Sequence, residues 1–506
     1  MIALKDKNLL ILGLGVSGLA MARWCARHGA QVSVADTRPS PPKLDDLRRE
    51  VPSANFICGN LDANLVEGKG FDAVFRSPGL SPAMVAGVVQ SLEKASVQVS
   101  GELALFSQAL ADLKTLQAYA PSVIAITGTN GKTTVTSLAG QLIERAKKTV
   151  AVAGNIGPTL LDTLSARLDS GSLPEVWVIE LSSFQLESVQ GFQPTAATVL
   201  NITQDHLDWH GSMAAYTTAK ANVFGKHTKI LLNRDDPSVM AMLPKVPQQG
   251  RIKDRIVRDY ETFGGDLPTR PGDFGLEEVG GIVWLVRALQ ADGTHRKRTE
   301  AKEELFLQRL LPTDALRIRG RHNAVNALAA LSLASAAGCS LAPLLYGLRE
   351  YRGEPHRVES VAIVNGVEFF DDSKGTNVGA TAAALTGLGA ERKIVVILGG
   401  DGKGQDFSPL AMPVSRFTRA VVLIGRDAAL IRAALASTKV PLFDATTMHE
   451  ATSIAHENAQ AGDAVLMSPA CASFDMFDNY PHRAAVFREA VSAIAQQASA
   501  ETVALS

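Results

Sequence analysis

Cysteine is scarce and scattered: Cys25, Cys58, Cys339 and Cys471 are the only four in 506 residues, and no two form a C-x-x-C pair. That excludes a disulfide framework and a cysteine-built zinc site, and it points to a reducing cytoplasm. Net charge is lacking too, at -1 from 50 Lys+Arg against 51 Asp+Glu. No basic field is available to hold nucleic acid or an anionic membrane, so a small-molecule enzyme fits better. No apolar run is long enough to span a bilayer, and insertion into a membrane is not expected. Lys5 and Lys7 ahead of the apolar run Asn8 to Ala22 have the outline of a secretory signal, but Gly13, Gly15 and Gly18 interrupt that run in a pattern with its own meaning. Fixed-period repeats and low-complexity linkers are also missing. What is there is globular, at 46% hydrophobic and 20% charged residues, and long enough for roughly three domains at about 150 residues each.

The order of the chain supports that count. NLLILGLG, QVSVAD, NFICGN and DAVFRSPG alternate with helical patterns, which predicts a parallel sheet with crossover helices. A second rhythm begins at SVIAITG and continues through TVAVAG, EVWVIELSS, AATVLNIT and KILLNRDD. A third follows Pro355, with VAIVNGVEFFDD, KIVVILGG, AVVLIG and DAVLMSPA. The expected architecture is α/β throughout, in three domains with boundaries near residues 102 and 354: 1–102, 103–353 and 354–506. Between Pro244 and Leu311 the pattern weakens among many charges around GGIVWLVRAL, which reads as a solvated antiparallel appendage. The alanine-rich C-terminal tail reads as a helix that frays.

Thr127 to Thr134 (TGTNGKTT) carries the strongest chemistry. A buried strand over Ser122 to Ile126, a turn from Gly128 to Gly131 and a helix from Thr133 would aim backbone N–H groups at one point, where a phosphate belongs. Thr129, Asn130 and Thr134 complete the loop, Lys132 would neutralise the β and γ phosphates, and the Thr133 hydroxyl would ligate Mg²⁺. Ile126 stands where the full phosphate-loop pattern wants a first glycine, so the match is a shortened variant. A guanine-reading N-K-x-D is missing, since the corresponding strand ends NRDD at Asn233 to Asp236.

Glu180 ends an apolar strand, where ligands of open α/β sheets bind, and suits a magnesium position. Asp205, His206 and Asp208 follow another strand end; a histidine grouped with two acids there is a candidate site, although Asp208 could equally cap a helix. Lys220, in a plausible helix, reads from composition alone as a surface lysine.

Taken together, GLGVSG with DTR, SPG, GELALF, TGTNGKTT, AGNIG, ELSSFQLE, NITQDHLD, GRHNAVNALAA, PHRVE, DDSKGTN, LGGDGKG and SPACASFDMF resemble, in order and over nearly the whole length, the Mur ligases of bacterial peptidoglycan synthesis. Among them the pattern is most similar to those that join D-glutamate to UDP-N-acetylmuramoyl-L-alanine. The resemblance implies a Rossmann-like UDP-binding domain, a central phosphate-loop ATPase domain and a C-terminal Rossmann-like domain that takes the amino acid. It implies transfer of the ATP γ-phosphoryl group to a carboxylate, then attack on the acyl phosphate by the D-glutamate amine, in a cytoplasmic enzyme expected to be a monomer.

The same resemblance distributes roles. ATP and two Mg²⁺ ions are implied, with Thr133 and Glu180 on one metal and His206 and a carbamoylated Lys220 on the other. Asn323 and Asn326 match adenine contacts, Arg357 a nucleotide-phosphate contact and Asp372 a ribose contact. Val16 and Ser17 match the pyrophosphate loop, Asp36, Thr37 and Arg38 the uridine contacts, and Ser77, Pro78 and Gly79 the SPG segment. Asn155, Ser182 and Gln185 match the lining of the muramoyl substrate. Lys374, Thr376, Ser473 and Phe474 match the D-glutamate pocket, with Lys403 and Tyr480 as weaker members. The chain departs from the pattern at Ala153 in AGNIG and Gln204 in NITQDH, and it is long, with the excess in the charged stretch.

Three other readings compete. Gly13, Gly15 and Gly18 with Asp36 meet the dinucleotide pattern, which would suit an NAD-dependent dehydrogenase. A sister Mur ligase or a folylpolyglutamate synthase would share the central loop; the folate enzyme has no reason to carry the N-terminal UDP pattern, and SPACASFDMF with DDSKGTN most resembles the D-glutamate-adding enzymes. A protein that binds without catalysis fits least, given a complete phosphate and metal set.

Overall fold

A computed structural model describes residues 4–189, 191–243, 259–290 and 305–504. The described residues within Met1–Ile202, His206–Phe263 and Ala329–Gly347 form one compact unit, and those within Thr203–Asp205, Gly264–Leu328 and Leu348–Ser506 form a second.

The first unit holds two parallel sheets. One is built from β1 (Asn8–Leu12), β2 (Gln31–Asp36), β3 (Asn55–Cys58), β4 (Ala73–Arg76) and β5 (Val99–Ser100), in the order β3-β2-β1-β4-β5. The other is built from β6 (Ser122–Thr127), β7 (Val150–Gly154), β8 (Val176–Glu180), β9 (Ala196–Val199), β10 (Lys229–Asn233) and β11 (Tyr260–Phe263), in the order β11-β10-β9-β6-β8-β7. In both sheets the chain leaves an inner strand, β1 or β6, first to one side and later to the other. Ligands of such sheets bind at the carboxyl ends where the connections diverge. The strands are nearly continuous apolar runs because helices cover them, as in Leu9 to Leu12 and Val176 to Ile179, all buried.

The run Asn8 to Ala22 is therefore β1 plus the opening of the helix Val16–Arg27. That helix starts at Val16, with Gly15 in extended backbone as its N-cap. One apolar cluster runs from Leu9, Ile11 and Trp24 through Phe106 and Leu113 to Leu164 and Trp177, joining the covering helices of both sheets. The Phe106 and Trp177 rings meet edge to face at 5.0 Å, a favoured aromatic arrangement. Arg23 pairs with Asp162 at 3.1 Å on the same seam.

The second unit holds an antiparallel sheet of β12 (Phe274–Val279), β13 (Ile282–Gln290) and β14 (Leu305–Pro312). GGIVWLVRAL supplies β13, in keeping with an antiparallel appendage, while most of the charged residues expected around it lie outside the described residues. The remaining sheet, β15-β16-β20-β17-β18-β19, contains β15 (Glu359–Val364), β16 (Val367–Asp371), β17 (Ile394–Gly399), β18 (Thr418–Ile424), β19 (Leu442–Asp444) and β20 (Ala464–Met467). Only the β15–β16 pair is antiparallel, a hairpin turned at Asn365 and Gly366, both with positive φ. The C-terminal tail belongs to one long helix, Tyr480–Ala504. No helix among the described residues is long and apolar enough to cross a membrane. All four cysteines are free, and three of them, Cys25, Cys339 and Cys471, are buried.

Candidate active site

The phosphate loop sits at the carboxyl end of β6. Gly128 has φ +147°, and a Cβ there would come within 2.9 Å of the Leu200 Cβ, so the turn needs glycine. The helix Lys132–Arg145 begins one residue earlier than Thr133, because Gly131, with φ +82°, caps it without a side chain. The loop is braced by Asn201: its carbonyl accepts from Thr129 N at 2.9 Å, its Oδ1 from Asn130 N at 2.8 Å, and its Nδ2 donates to the Asn130 carbonyl at 3.0 Å. Lys132 Nζ donates to the carbonyls of Gly128 and Thr129 at 2.9 and 2.8 Å, which holds its charge at the mouth of the loop.

Glu180 ends β8, in register with Ile126 of β6 and Gly154 of β7. Its side chain is buried; Oε1 accepts from Asn155 Nδ2 at 2.7 Å, and Oε2 has no partner among the described residues. A buried carboxylate oxygen without a donor is costly unless a cation serves it. Lys220, far from being a surface lysine, is 1% exposed. Its Nζ donates to Gly128 O at 2.8 Å and Thr127 Oγ1 at 3.3 Å, and lies 4.7 Å from the Tyr216 ring. Tyr216 Oη in turn shares a 2.9 Å hydrogen bond with Thr129 Oγ1.

His206, exposed and in left-handed backbone, is the N-cap of the short helix Leu207–His210, a place that Asp208 was also a candidate for. Asp208 is in the first turn instead. The His206 ring meets Phe184 edge-on at 4.7 Å. His210 is held neutral, pushed down to about 4 by burial and by the nearby His206 and Lys220, and its Nε2 lies 2.9 Å from Ser183 Oγ. Ser182 and Gln185 form a reciprocal capping box at the start of the helix Ser183–Glu187, so both predicted substrate side chains are pre-ordered.

At the carboxyl end of β1, Leu14 N donates to Asp36 Oδ2 at 2.8 Å and Ser77 Oγ donates to Gly13 O at 2.7 Å. Arg38 grips the Asp36 carboxylate through Nε and Nη2, both at 2.8 Å, and holds it well down, to about 2. Thr37, Arg38 and Gly79 are exposed and Pro78 half-buried. Val16, at the head of the helix, is 60% exposed. Glu102 is buried against this loop: it accepts from Leu161 N at 3.0 Å and from the Ser17 side chain, and burial pushes it up to about 7.

In the second unit, Asn323 Nδ2 donates to Arg319 O at 2.8 Å, and Asn326 Nδ2 to Asn323 Oδ1 at 3.2 Å, on the first turns of the helix Arg321–Ala336. Arg357 stands between His356 and Val358, at φ +64° and +50°, a rare backbone for such residues. Asp372 is buried and pushed up to about 7 by that burial, with Ser468 Oγ donating at 2.6 Å and Val358 N at 3.2 Å. His356, Glu359 and Asp371 could group around an ion, but the Arg488 guanidinium already lies 2.5 Å from Glu359 and 3.2 Å from Asp371. Lys374 Nζ is 3.9 Å from the Tyr480 ring centre, and Thr376 N donates to Lys374 O at 2.8 Å. Ser473 is buried, Phe474 is 69% exposed, and Lys403 is exposed beside Asp401, whose Oδ1 accepts from Lys403 N at 3.1 Å.

The sequence reading missed Asn201, Tyr216 and Arg483. Arg483, fully buried, donates to Ser373 O at 2.9 Å and Cys471 O at 3.1 Å, tying together the two loops that carry Lys374 and Ser473. Asn201 was the one with a signal, an amide at the end of an apolar strand beside the phosphate loop; Tyr216 and Arg483 lie in helices with nothing local to distinguish them.

Residues 126–253 match the Mur ligase middle domain, 356–471 the Mur ligase glutamate ligase domain, and 7–101 the Mur ligase MurD-like N-terminal domain. The UDP-N-acetylmuramoylalanine–D-glutamate ligase of Albidiferax ferrireducens is 67% identical, with 98% of each chain covered. Its counterpart from Ralstonia nicotianae is 57% identical over 96% of this chain and 97% of that one. In fold, the chain is similar to the UDP-N-acetylmuramate–alanine ligase of Thermotoga maritima, at TM-score 0.53 and 20% identity over 96% of this chain and 100% of that one. It is likewise similar to the MurF ligase of the same organism, solved with ADP, at TM-score 0.56 and 15% identity over 97% and 96%.

Proposed function

Because the chain belongs to the Mur ligase family, we propose that it joins D-glutamate to UDP-N-acetylmuramoyl-L-alanine, with ATP converted to ADP and phosphate, in peptidoglycan precursor synthesis. One observation carries the chemistry. The orphaned Glu180 Oε2 lies at a strand end beside the loop that holds Lys132 and Lys220, a pairing of unserved anion and buried amine suited to a metal-dependent phosphoryl transfer.

The physical problem is that a carboxylate is a poor acylating agent and must be approached by another anion. In the proposed route a carboxylate oxygen of the muramoyl substrate forms a bond to the γ-phosphorus as the bond to ADP breaks. The amine of D-glutamate, having lost a proton, then attacks the acyl carbon, and phosphate leaves. Lys132 would leave its two loop carbonyls to neutralise the phosphoryl charge, while the amides of Gly128 to Thr134 orient it. Thr133 and Glu180 would hold one Mg²⁺, and His206 with a carbamoylated Lys220 a second; when bound, these ions would screen the transferring charge. Carbamoylation would turn a buried cation into an anion, and Gly128 O and Thr127 Oγ1 are polar neighbours suited to keeping that side chain in place.

The remaining roles follow the family pattern. Asn155, Ser182 and Gln185 would line the muramoyl group, Val16, Ser17, Asp36, Thr37, Arg38 and Ser77 to Gly79 the UDP. Asn323, Asn326, Arg357 and Asp372 would contact the nucleotide, and Lys374, Thr376, Ser473, Phe474, Lys403 and Tyr480 the D-glutamate.

Phosphate release measured with ATP, Mg²⁺ and UDP-N-acetylmuramoyl-L-alanine across a panel of D- and L-amino acids tests this reading. D-Glutamate alone should support turnover. Activity confined to an L-amino acid, or NADH binding without UDP binding, would overturn it.

A further inference from the structure

Arg76 is the last residue of β4 and is followed by Ser77, Pro78 and Gly79, and its side chain is only 5% exposed. The sequence reading gave it no role. It ion-pairs with Glu187, the last residue of the helix Ser183–Glu187, and its guanidinium lies 5.6 Å from the centre of the Trp209 ring, within cation–π reach. Each contact leads to a different part of the site. Behind Arg76, Ser77 Oγ is bound to Gly13 O at the carboxyl end of β1. Beyond Glu187, the same short helix begins with the Ser182–Gln185 capping box, and its Leu186 carbonyl accepts from Asn222 at 3.0 Å, two residues past Lys220. Beyond Trp209, the ring packs on Phe184 at 4.7 Å, and Phe184 packs on His206 at 4.7 Å.

We infer that Arg76 is a positioning residue that fixes the span between the UDP end and the muramoyl end of one substrate. The inference rests on the function proposed above. The substrate is a single molecule whose two ends are gripped by different sheets of this unit, the nucleotide at the β1 and β4 loops and the sugar acid at Ser182 and Gln185. Each end alone binds modestly; their linkage adds affinity only if the two grips stand at the distance the substrate can bridge. A misplacement of about 1 Å is enough to lose on the order of 100-fold in rate. A guanidinium suits the task because its rigid planar fork can bond a carboxylate edge-on while its face stacks on an indole, so one side chain fixes two helices at once. Lysine offers the charge but not the plane.

Titration calorimetry and steady-state kinetics on the full chain test this with Arg76→Met, Arg76→Lys and Glu187→Gln. UDP alone should bind Arg76→Met within about twofold of wild type, because the nucleotide loop is intact. The KM for UDP-N-acetylmuramoyl-L-alanine should rise about tenfold or more, with the KM values for ATP and D-glutamate within about twofold. Glu187→Gln should follow in the same direction and Arg76→Lys should fall between. ADP titration reports whether each variant is folded. If Arg76→Met does not fold, Trp209→Leu, which keeps the ion pair and removes the stack, carries the test with the same split at smaller size. Equal losses for UDP and for the full substrate, or no loss for either, overturn the inference. A wild-type protein that binds neither UDP nor the full substrate overturns the functional reading and this one with it; wild type and variant binding both alike overturns this one alone.

Discussion

Two strand–loop–helix turns in the first unit use the same backbone device for different charges. At β1 the loop Gly13 to Gly18 opens the helix Val16–Arg27 and carries no lysine; its neighbour is the Asp36 carboxylate, which takes the Leu14 amide. At β6 the loop Gly128 to Gly131 opens the helix Lys132–Arg145 and carries Lys132 at its first helical position. A helix N-terminus attracts any anion, so the loops differ in what else they bring. The first adds a hydrogen-bonding acid, which under the proposed function would meet a sugar hydroxyl; the second adds a cation held by two loop carbonyls, which would meet a phosphoryl group in transfer. Under the proposed function, one would hold and the other would react.

That division is broken most severely by Lys132→Met. Turnover in the phosphate-release assay should fall on the order of 1,000-fold or more, while UDP affinity stays unchanged; a parallel loss of UDP binding would mean that the loops are not independent. Next in size is Gly18→Ala. A Cβ at Gly18 would lie 2.1 Å from Gly13 O, so the helix must move off its loop, at a cost of about 1–3 kcal/mol and about tenfold or more in UDP affinity. Gly15→Ala is the control, since nothing lies within 4 Å of its Cβ and its backbone is extended; stability should stay within about 0.5 kcal/mol. Calorimetric melting and UDP titration separate the two.

A pH-dependent effect concerns Glu102, which joins the first loop to Leu161 through a carboxyl raised to about 7. A raised carboxyl pKa means that the folded state favours the proton. The stability this gives is full below about pH 4.5 and is lost as pH rises through about 7, leaving the charged form uncompensated above it. Glu102→Gln removes the titration. Relative to wild type it should gain stability between pH 5 and 8, by about 1–3 kcal/mol, and urea melts across that range read it directly. A constant difference between the two proteins would show that Glu102 does not titrate there.

Much of this was legible beforehand for a physical reason. Strands covered by helices must be apolar along their whole length, so VIAIT and VWVIE announce themselves. A turn that brings backbone to a phosphate needs glycine and a lysine within a few positions, which is a local requirement and leaves a local pattern. Helix starts were less legible: Lys132 opens its helix one residue earlier than read, because Gly131 caps it without any side chain to mark it.

By itself, then, the sequence determined the α/β class, most strands of the main sheets though not β5, β11 or β19, the two glycine-rich turns that open helices and, through ordered motifs, the family. The burial of Lys220, the unserved oxygen of Glu180 and the Arg76 contacts were decided only by tertiary structure. Lys220 reads as a surface lysine until Tyr216, the Thr127 hydroxyl and the Gly128 carbonyl close over it, and Arg76 is 111 residues from the Glu187 it pairs with. A local pattern records what a few neighbouring residues must do to the backbone. The environment of a charge is set by whatever packs against it, and those partners come from strands and helices that only the folded sheet order brings side by side.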